Sequence, residues 1–335
     1  MRVFVFVNRV QEIGARQTTA LLIAAFHRQG HEVWLTDVDG ISLIGSDASP
    51  QMQLQVDSVR LDVSTNADLE VVAQYANSVP RDSFRQVAIS SSDLVLIRTN
   101  PGRDLENRGK HNLFLELCQI AKSLGIRVIN DPANLAFFAS KAAIALLPQR
   151  YRPQMLVTHK FDEAIAFAKE LGGECVIKPV LGSRGKNVIR ISSVTDRLEE
   201  ELANRFGNQS IVVQEFIETT EPGDKRVVVV NGTLIEHNGH LAGIHRIPAV
   251  GDFRANLHAG GQAEPLSLSN SQRETVLTAA SLLSENGIAL AGIDLMGTKV
   301  IEFNVFSTGG LFDANRFASF DFAETICQEL VTADL

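Results

Sequence analysis

The sequence predicts two architectures in one chain: an α/β first part built on a parallel sheet, and a mostly antiparallel α+β second part. Up to about residue 130, apolar strand patterns alternate with helix patterns. Beyond that point, short strand patterns follow each other with few helices between them. With 335 residues, 45% of them hydrophobic and 21% charged, the chain can bury several cores, which excludes collagen-like, disulfide-scaffold and disordered classes.

The first part repeats a strand, helix and strand pattern. Its predicted elements are, in order, Val3–Val7, Arg16–Gln29, Glu32–Leu35, Asp93–Ile97, Lys110–Leu124 and Arg127–Ile129. Such alternation favours a parallel sheet covered on both faces. The polar segment between residues 41 and 85 has weak periodicity and is interpreted as an elaborated connection.

The second part carries closely spaced strand patterns around one helix pattern, Thr195–Phe206. The strand candidates are Glu174–Pro179, Val188–Ile191, Ile211–Ile217, Arg226–Val230, Thr233–Glu236 and Leu241–Ile247. Asn231-Gly232 separates two of them and is the strongest hairpin signal in the chain. The second part is therefore predicted to be mainly antiparallel.

Charge and cysteine content limit the partners and the compartment. Thirty-one Lys and Arg against 39 Asp and Glu give a formal net charge of −8, which argues against nucleic acid or an anionic membrane as partner. No apolar run approaches the length of about 18 residues that spans a bilayer. Cys118, Cys175 and Cys327 are widely spaced and indicate buried thiols in a reducing compartment. We therefore expect a cytoplasmic protein.

Three oxygen-bearing side chains fall on one predicted hairpin near the C-terminus. Glu302 and Asn304 are two residues apart and leave the same face of a strand, and a neighbouring strand can bring Asp294 beside them. Two carboxylates and an amide oxygen are ligands that a hard cation such as Mg²⁺ prefers. The alternative interpretation is the outward polar face of an edge hairpin.

A basic, glycine-containing segment follows Lys178. This lysine precedes Pro179, and Leu181-Gly182-Ser183-Arg184-Gly185-Lys186-Asn187 resembles a flexible hairpin tip that could close over phosphate oxygens. The phosphate-loop pattern GxxxxGK[ST] is absent. An ordinary solvated loop is the alternative.

Further candidate anion-binding groups lie downstream. Arg226 opens a strand of four valines, and Arg254 lies in a loop that ends in Gly260-Gly261. Arginine presents a planar fork to carboxylate or phosphate. Ser307-Thr308-Gly309-Gly310 follows the acidic strand and could form an anion nest. The alternatives are an exposed edge arginine and a plain turn.

Taken together and in order, these segments resemble the ATP-grasp carboxylate-amine ligases, and most closely the bacterial glutathione synthetase branch. The resembling segments are Ile97-Arg98-Thr99-Asn100-Pro101, Asn130-Asp131-Pro132, Leu156-Val157-Thr158, Val176-Ile177-Lys178-Pro179, Gly223-Asp224-Lys225-Arg226-Val227, Arg254–Gly261, Gly292-Ile293-Asp294 and Glu302-Phe303-Asn304-Val305. The resemblance implies an ATP-grasp fold behind an N-terminal parallel-sheet (pre-ATP-grasp) domain. The implied domains are residues 1–130, a central lobe at 131–213 with the phosphate loop, and a C-terminal lobe at 214–335 with the metal site.

The resemblance also implies the site residues. ATP would be bound by Lys141, Lys178, Gly182, Ser183, Arg184, Gly185, Gln214, Glu215, Phe216, Ile217, Asp224 and Asn256. The substrates would be bound by Arg98, Asn100, Arg226, Arg254, Ser307, Thr308, Gly309 and Gly310, with Arg226 and Arg254 as the catalytic residues. Mg²⁺, or Mn²⁺ in its place, would be held by Asp294, Glu302 and Asn304.

The implied activity is ADP-forming ligation through an acyl phosphate, with γ-glutamylcysteine and glycine as the leading substrate pair. Small acids or peptides and amines are thus the expected partners, and a homo-oligomer, dimer or tetramer, is the expected assembly. Three departures leave alternatives open. Asn100 replaces the usual aspartate, and the loop after Asn304 lacks the usual proline and Arg-Glu pair. The phosphate loop, with Arg184 and Lys186, resembles more closely that of the glutamate-adding and amino-acid-adding ligases of the wider superfamily. A related ligase acting on another acid and amine is one alternative, and a non-catalytic nucleotide-binding module is the other.

Overall fold

The N-terminal part is a six-stranded mixed sheet in the computed structural model, which describes residues 1–46, 49–182, 185–249, 251, 255 and 260–332. Its strands are β1 (Arg2–Val7), β2 (Glu32–Ser46), β3 (Ser49–Arg60), β4 (Arg85–Ala88), β5 (Leu94–Ile97) and β6 (Arg127–Ile129), in the spatial order β4-β3-β2-β1-β5-β6. Strands β2, β1, β5 and β6 are parallel, as the sequence predicts. Helices α1 (Thr18–Arg28), α2 (Leu69–Ser78) and α3 (Arg108–Ser123) accompany this sheet.

The segment between residues 41 and 85 corrects the sequence interpretation. Instead of an irregular connection, it completes a long antiparallel hairpin of β2 and β3 and continues through α2 into β4. In β3 the alternating residues Leu54 and Val56 are buried, while Gln55 and Asp57 between them are half-buried. In a half-buried strand only every second residue is apolar, so the sequence shows no continuous apolar run. For that reason the sequence pattern did not indicate β3.

A second, four-stranded antiparallel sheet forms the middle of the chain. Helix α4 (Pro132–Phe138) leads into it, and α5 (Phe161–Glu170) and α6 (Leu198–Phe206) cover it. Its strands are β7 (Met155–Thr158), β8 (Cys175–Pro179), β9 (Ile189–Ile191) and β10 (Ile211–Glu215), in the order β7-β10-β8-β9. A core of its own, which includes Ile177, Phe206 and Val213, lies between this sheet and its two helices.

The third sheet, at the C-terminal end, is also antiparallel. Its strands are β11 (Asp224–Val230), β12 (Thr233–Leu234), β15 (Gly243–Ile247), β16 (Gln262–Pro265), β17 (Leu290–Met296) and β18 (Lys299–Asn304), with the separate hairpin β13 (Glu236–His237) and β14 (His240–Leu241). Strand order is β16-β15-β11-β17-β18, and the helices are α7 (Asn270–Glu285), α8 (Leu311–Ala318) and α9 (Phe322–Thr332). The hairpin predicted at Asn231-Gly232 is confirmed, because Val230 pairs with Thr233 across it. Both turn residues have positive φ, at 47° and 76°.

The first and third sheets share their hydrophobic cores. Residues of β1 and α1 pack in one cluster with residues of β11 and α9, and a second cluster likewise joins both parts. The buried Asn130, just after β6, reinforces this junction: its amide donates to the carbonyls of Leu290 and Val305, both at 2.8 Å, and its oxygen accepts from the Leu290 N–H at 2.7 Å. Asn130 belongs to the predicted Asn130-Asp131-Pro132 turn, and Asp131 caps α4.

The burial of the cysteines agrees with a further sequence prediction. Cys118, Cys175 and Cys327 are buried thiols, and burial raises the pKa of Cys175 to about 11. Throughout the described ranges, no helix combines the length and the apolarity that crossing a bilayer requires.

Gly243 controls how closely β15 approaches β11. A Cβ atom at this position would lie 2.3 Å from the Arg226 carbonyl oxygen and 2.7 Å from Leu266 Cδ2. We expect Gly243→Ala to lower the free energy of unfolding by about 3 kcal/mol, since overpacked backbone must shift. Urea unfolding measures this change. Gly109→Ala is the control: the position in α3 is exposed and open, so this change should be neutral or stabilise by up to about 1 kcal/mol. Equal effects of the two substitutions would contradict the proposed role of Gly243.

Candidate active site

One cavity of about 460 Å³ lies where the three sheets meet. Strands β8 and β10 of the middle sheet and β11, β17 and β18 of the third sheet contribute to its wall, together with loops that follow β5 and β18. It brings together all the predicted site residues that the structure describes: Arg98, Asn100, Lys141, Lys178, Gly182, Gly185, Gln214, Glu215, Phe216, Ile217, Asp224, Arg226, Asp294, Glu302, Asn304, Ser307, Thr308, Gly309 and Gly310. The predicted residues Ser183, Arg184, Arg254 and Asn256 lie outside the described residues.

Two buried lysines mark one wall of the cavity. Lys178 lies on β8, and Lys141 begins the 3₁₀ helix Lys141–Leu146; they are 6% and 5% exposed. The Lys178 Nζ donates to the Ile301 carbonyl at 3.1 Å, and the Lys141 Nζ donates to the Gly182 carbonyl at 3.1 Å. Burial, the main influence, lowers the pKa of Lys178 to about 8, and the neighbouring Lys141 acts in the same direction. Glu302 is the nearby carboxylate, with its Oε1 3.5 Å from the Lys141 Nζ. Two buried ammonium groups beside one carboxylate still favour an anionic ligand.

The carboxylates stand on the predicted β17–β18 hairpin. Asp294 pairs with Glu302 and Gly292 pairs with Asn304, which brings the three candidate metal ligands to adjacent positions. The register shifts between Asp294 and Leu295 and leaves Ile301 without a strand partner. That irregularity frees the Ile301 carbonyl that accepts from Lys178, an example of a bulge that serves a site.

Asp294 is held by two guanidinium groups. Its Oδ1 accepts from Arg226 Nε at 2.7 Å, and its Oδ2 accepts from Arg226 Nη2 at 2.6 Å and from Arg246 Nη2 at 2.8 Å. Arg226 is the cross-strand neighbour of Asp294, so β11, β17 and β18 place Arg226, Asp294 and Glu302 in one row. Although burial favours the neutral acid, the two arginines keep the pKa of Asp294 well below its usual range.

Arg246 is the residue of this cluster that the sequence prediction missed. It lies on β15 opposite Asp224, to which its Nε donates at 2.5 Å, and it reaches Asp294 as well. Burial lowers its pKa, but Asp294 and Asp224 outweigh burial and raise that pKa above the usual value. Burial and the nearby Asp294 raise the pKa of Asp224. Arg246 lies in the predicted strand Leu241–Ile247, yet nothing local distinguishes it from an edge arginine; only the strand order reveals its two partners.

The donor set fits a hard cation. Asp294 and Glu302 offer carboxylate oxygens and Asn304 an amide oxygen, the ligand types that suit Mg²⁺. Among the described residues, Asn304 Nδ2 is buried without a hydrogen-bond partner, so nothing there fixes its amide against turning its oxygen to a ligand. Nowhere in the described ranges do three His, Cys, Asp or Glu side chains converge, so the hairpin supplies two carboxylates and not a carboxylate cage.

The predicted adenine-binding segment lies at the end of β10. Gln214 is 3% exposed, and within the described part of the chain its side-chain nitrogen has no hydrogen-bond partner. Glu215 accepts from Gln154, and the Phe216 ring stacks under the guanidinium of Arg190, with its centroid 3.7 Å from the Arg190 carbon. The apolar ring and the unpaired amide give this end of the cavity the character of a pocket for a flat polar ligand.

Two of the sequence departures, Asn100 and the loop after Asn304, meet at the other end of the cavity. Asn100 Nδ2 donates to Ser307 Oγ at 2.9 Å, and Asn8 fixes the backbone of Asn100 through both its N–H and its carbonyl. Gly292 gives room for the loop, because a Cβ there would lie 2.1 Å from Thr308 Oγ1. Asn100, which replaces the usual aspartate, therefore contacts the loop that lacks the usual proline.

Comparison with known proteins decides the family. The sequence family described as "Prokaryotic glutathione synthetase, N-terminal domain" matches residues 1–136, and "Prokaryotic glutathione synthetase, ATP-grasp domain" matches residues 140–319. The chain belongs to the prokaryotic glutathione synthetase family. Membership in this glutathione synthetase family makes it an ATP-dependent, peptide-bond-forming ligase and confirms the predicted ATP-grasp fold.

Curated relatives carry the same family name. The glutathione synthetase of Vibrio cholerae is 32% identical over 228 residues, 67% of this chain and 68% of the relative. That of Neisseria meningitidis serogroup A is 31% identical over 240 residues, 71% of this chain and 72% of the relative. That of Parasynechococcus marenigrum is 28% identical over 317 residues, 94% of each chain.

Solved structures of ATP-grasp enzymes share the fold of this glutathione synthetase family member. The ATP-grasp ligase PsnB complexed with a minimal precursor has a TM-score of 0.61 at 18% identity, with 98% of each chain covered. The D-cycloserine synthetase DcsG has a TM-score of 0.60 at 16% identity, again with 98% of each chain covered. At these identities the likeness is one of fold.

The charge balance around Asp294 predicts a large effect of neutralisation. In an Asp294→Asn variant, the buried guanidinium groups of Arg226 and Arg246 would have only the Asp224 carboxylate to balance their charge. We expect the free energy of unfolding to fall by about 3–5 kcal/mol, measured by urea denaturation. Glu174→Gln, which removes an ion pair with Arg190 that is more than one-third exposed on both sides, should cost at most about 1 kcal/mol. A loss at Asp294 no larger than the loss at Glu174 would contradict the charge-balance argument.

The buried Lys178 predicts a pH dependence of stability. Its pKa is about 8 in the folded chain against 10.5 for an ordinary lysine, so between these pH values the unfolded chain binds more protons. Stability should therefore rise with pH from 8 to 10.5, by up to about 3 kcal/mol relative to a Lys178→Met variant. Urea unfolding at both pH values tests this. Lys169→Met, at an exposed position of α5, should keep the rise, and its persistence in Lys178→Met would show that Lys178 is not its source.

Proposed function

We propose that this chain joins the carboxyl group of γ-glutamylcysteine to the amine of glycine, with ATP converted to ADP and phosphate. The family membership supports the ligase chemistry, and curated glutathione synthetases at about 30% identity support the substrate pair. The observation that carries the proposal is the cavity itself, where two buried lysines face a hairpin with two carboxylates. Such a site balances the charges of a nucleotide with its metal.

ATP would lie with its phosphates at Lys141, Lys178 and the loop from Gly182 to Asn187, and with its base at Gln214–Ile217. Asp224 is the candidate ribose ligand, although its carboxylate already accepts from Arg246. Mg²⁺ would be held by Asp294, Glu302 and Asn304, and would offset negative charge on the phosphate oxygens. Ser183, Arg184 and Asn256 complete the proposed nucleotide set, and Mn²⁺ in place of Mg²⁺ stays a prediction.

The proposed reaction has two steps. A carboxylate oxygen of the acid substrate forms a bond to the γ-phosphorus of ATP while the bond from that phosphorus to the β-γ bridging oxygen breaks, which releases ADP. The amine nitrogen then forms a bond to the acyl carbon, loses a proton, and inorganic phosphate leaves with the carbon–oxygen bond pair. Because neither step requires a protein nucleophile, positioning and electrostatic stabilisation are the contributions of the chain.

Arg226 would steady the transferring phosphoryl group, with Arg254 in the same role from outside the described residues. The guanidinium of Arg226 is on the cavity wall and lies against the Gly309 backbone, 3.8 Å from where a Cβ atom of that residue would be. In this structure the planar guanidinium of Arg226 donates two hydrogen bonds to the Asp294 carboxylate. The same bidentate geometry matches two oxygens of an acyl phosphate. Arg98, Asn100, Ser307, Thr308, Gly309 and Gly310 would contact the acid and amine substrates.

Arg226→Lys tests the role of the fork. We expect this variant to bind ATP nearly as well as the parent chain but to lose turnover by about 100-fold, since a point charge replaces a bidentate contact. A fluorescent nucleotide titration measures binding, and coupled ADP release measures turnover. Arg60→Lys, at a side chain that is 64% exposed, is the control. Turnover equal to that of the control would show that Arg226 has been misplaced.

The substrate pair is tested directly with purified protein, ATP, Mg²⁺, γ-glutamylcysteine and glycine. ADP release that requires both the acid and the amine supports the proposal. The contact between Asn100 and Ser307 favours one alternative, a related ligase with another acid and amine, because Asn100 replaces the usual aspartate and Ser307 lies in the loop that lacks the usual proline. ADP release with other acid and amine pairs, and none with γ-glutamylcysteine and glycine, would select that alternative.

A non-catalytic nucleotide-binding module is the remaining alternative. Such a module would bind ATP without consuming it, so it makes a different prediction for Glu302→Ala. Two results together would favour the non-catalytic interpretation over the ligase. ATP would bind to the chain without ADP release for any acid and amine pair, and Glu302→Ala would leave the cellular phenotype unchanged.

A further inference from the structure

The middle sheet is connected to the rest of the chain by two linkers. The first linker, residues 139–154, runs from α4 to β7, and the second linker, residues 216–223, runs from β10 to β11. The two meet where the Glu215 N–H donates to the Gln154 carbonyl at 3.0 Å and Gln154 Nε2 donates to Glu215 Oε2 at 3.2 Å. A group that binds to this junction can therefore fix the position of the middle sheet relative to the third sheet.

Lys299 joins the junction to β18, of which it is the first residue. Its Nζ donates to the carbonyls of Gln149 and Arg152, at 3.3 Å and 3.2 Å, and lies 3.9 Å from Glu215 Oε1. An ammonium group has three donors, so a single lysine can contact the first linker and the end of β10 together. Lys299 itself lies outside the cavity wall.

A second set of polar contacts holds the turn that precedes Lys299. Gln272 of α7 donates through Nε2 to the Gly297 carbonyl at 2.9 Å, and its Oε1 accepts from Lys225 Nζ at 3.3 Å. Lys225 also forms an ion pair of 2.9 Å with Glu221 of the second linker. The β17–β18 turn is therefore tied to the second linker as well, by residues that do not line the cavity.

The two structures that Lys299 joins carry opposite ends of the proposed nucleotide site. Glu302 and Asn304, the candidate metal ligands, lie further along the same strand. The candidate base-binding segment, Gln214–Ile217, begins at the end of β10 and continues into the second linker. A ligand that spans both places binds best when their separation is already correct, because preorganisation lowers the cost of binding.

We propose that Lys299 is a positioning residue that fixes the linkers of the middle sheet to the β17–β18 hairpin and so presets the cavity for a nucleotide. This inference rests on the nucleotide site of the proposed function and adds a residue that acts through the linkers. Without Lys299, only a fraction of the molecules would hold the two ends at the required separation, and the apparent affinity would fall by that fraction. Bound ATP would restore the separation, so turnover at saturation would change little.

Steady-state kinetics of single variants test this role. Lys299→Met removes the donors, and we expect it to raise the KM for ATP by about 10-fold while kcat stays within about 2-fold of the parent value. The KM values for the acid and the amine should not change. Lys299→Arg keeps the charge and the donors and should restore most of the affinity for ATP. Lys160→Met, which removes an exposed ion pair with Glu163, is the control.

Two kinetic results would overturn the positioning role. One is a KM for ATP in Lys299→Met that equals the value in Lys160→Met. The other is a lower free energy of unfolding for Lys299→Met with an unchanged KM for ATP, which is the result that a merely structural contact would give.

A distance measurement tests the physical basis. Spin labels at Lys169→Cys in α5 and Ser281→Cys in α7 report the separation of the middle and third sheets, since both positions are exposed and the native cysteines are buried. Without nucleotide, Lys299→Met should broaden the distribution of distances relative to Lys160→Met, and ATP should narrow it again. Identical distributions in the two variants would contradict the proposal.

A titration with a fluorescent nucleotide separates this inference from the ligase proposal, because nucleotide binding requires neither acid nor amine. In a chain that forms ADP with no acid and amine pair, a dissociation constant raised about 10-fold by Lys299→Met and restored by Lys299→Arg would keep the positioning role and reject the ligase proposal. In a chain that does turn over γ-glutamylcysteine and glycine, equal nucleotide affinity of the parent and Lys299→Met would overturn the positioning role alone.

Discussion

The charge of Asp294 is the constraint around which the third sheet is built. A carboxylate that is 2% exposed costs several kcal/mol to bury unless opposite charges and hydrogen bonds surround it. Strand β11 supplies Arg226 from directly across, and β15 supplies Arg246 from one strand further. Arg246 is in turn balanced by Asp224, so four charged groups sum to zero. The order β15-β11-β17 and the close approach at Gly243 are what bring these groups together.

Outside this neutral cluster, the cavity is positive while the chain as a whole is negative. Lys141, Lys178 and Arg98 are buried along its walls, against a formal net charge of −8 for the full sequence. The acidic residues are therefore concentrated elsewhere, where they oppose binding of polyanions to the surface. A small anionic molecule that enters the cavity therefore meets a positive electrostatic potential, although the net charge of the chain is negative. Water and salt screen the nearby buried charges only weakly.

The sequence was most informative where structure is local. The hairpin at Asn231-Gly232 and the pairing of Asp294 with Glu302 depend on turn residues and on alternation along one or two strands, and both are visible in a short window. The partners of Arg246 are set by the order of the strands in the sheet, and no short stretch of sequence shows that order. The contact between Asn100 and Ser307 joins residues 207 positions apart. The β2–β3 hairpin was missed for another reason, because half-buried polar residues alternate with the buried apolar ones in β3 and weakened the apolar pattern.

The separate core of the middle sheet divides the molecule into units of unequal independence. The first and third sheets share two hydrophobic clusters and the Asn130 bridge, so neither can open without exposing the other. Among the described residues, the core of the middle sheet lies against α5 and α6 and is separate from the other two clusters, so we expect this sheet to unfold as a cooperative segment at a lower free energy than global unfolding. Lys178 and Gln214 lie on the middle sheet, whereas Asp294 and Arg226 lie on the third sheet. Amide hydrogen exchange in β8 and β10 thus reports on how tightly the two halves of the cavity are held together.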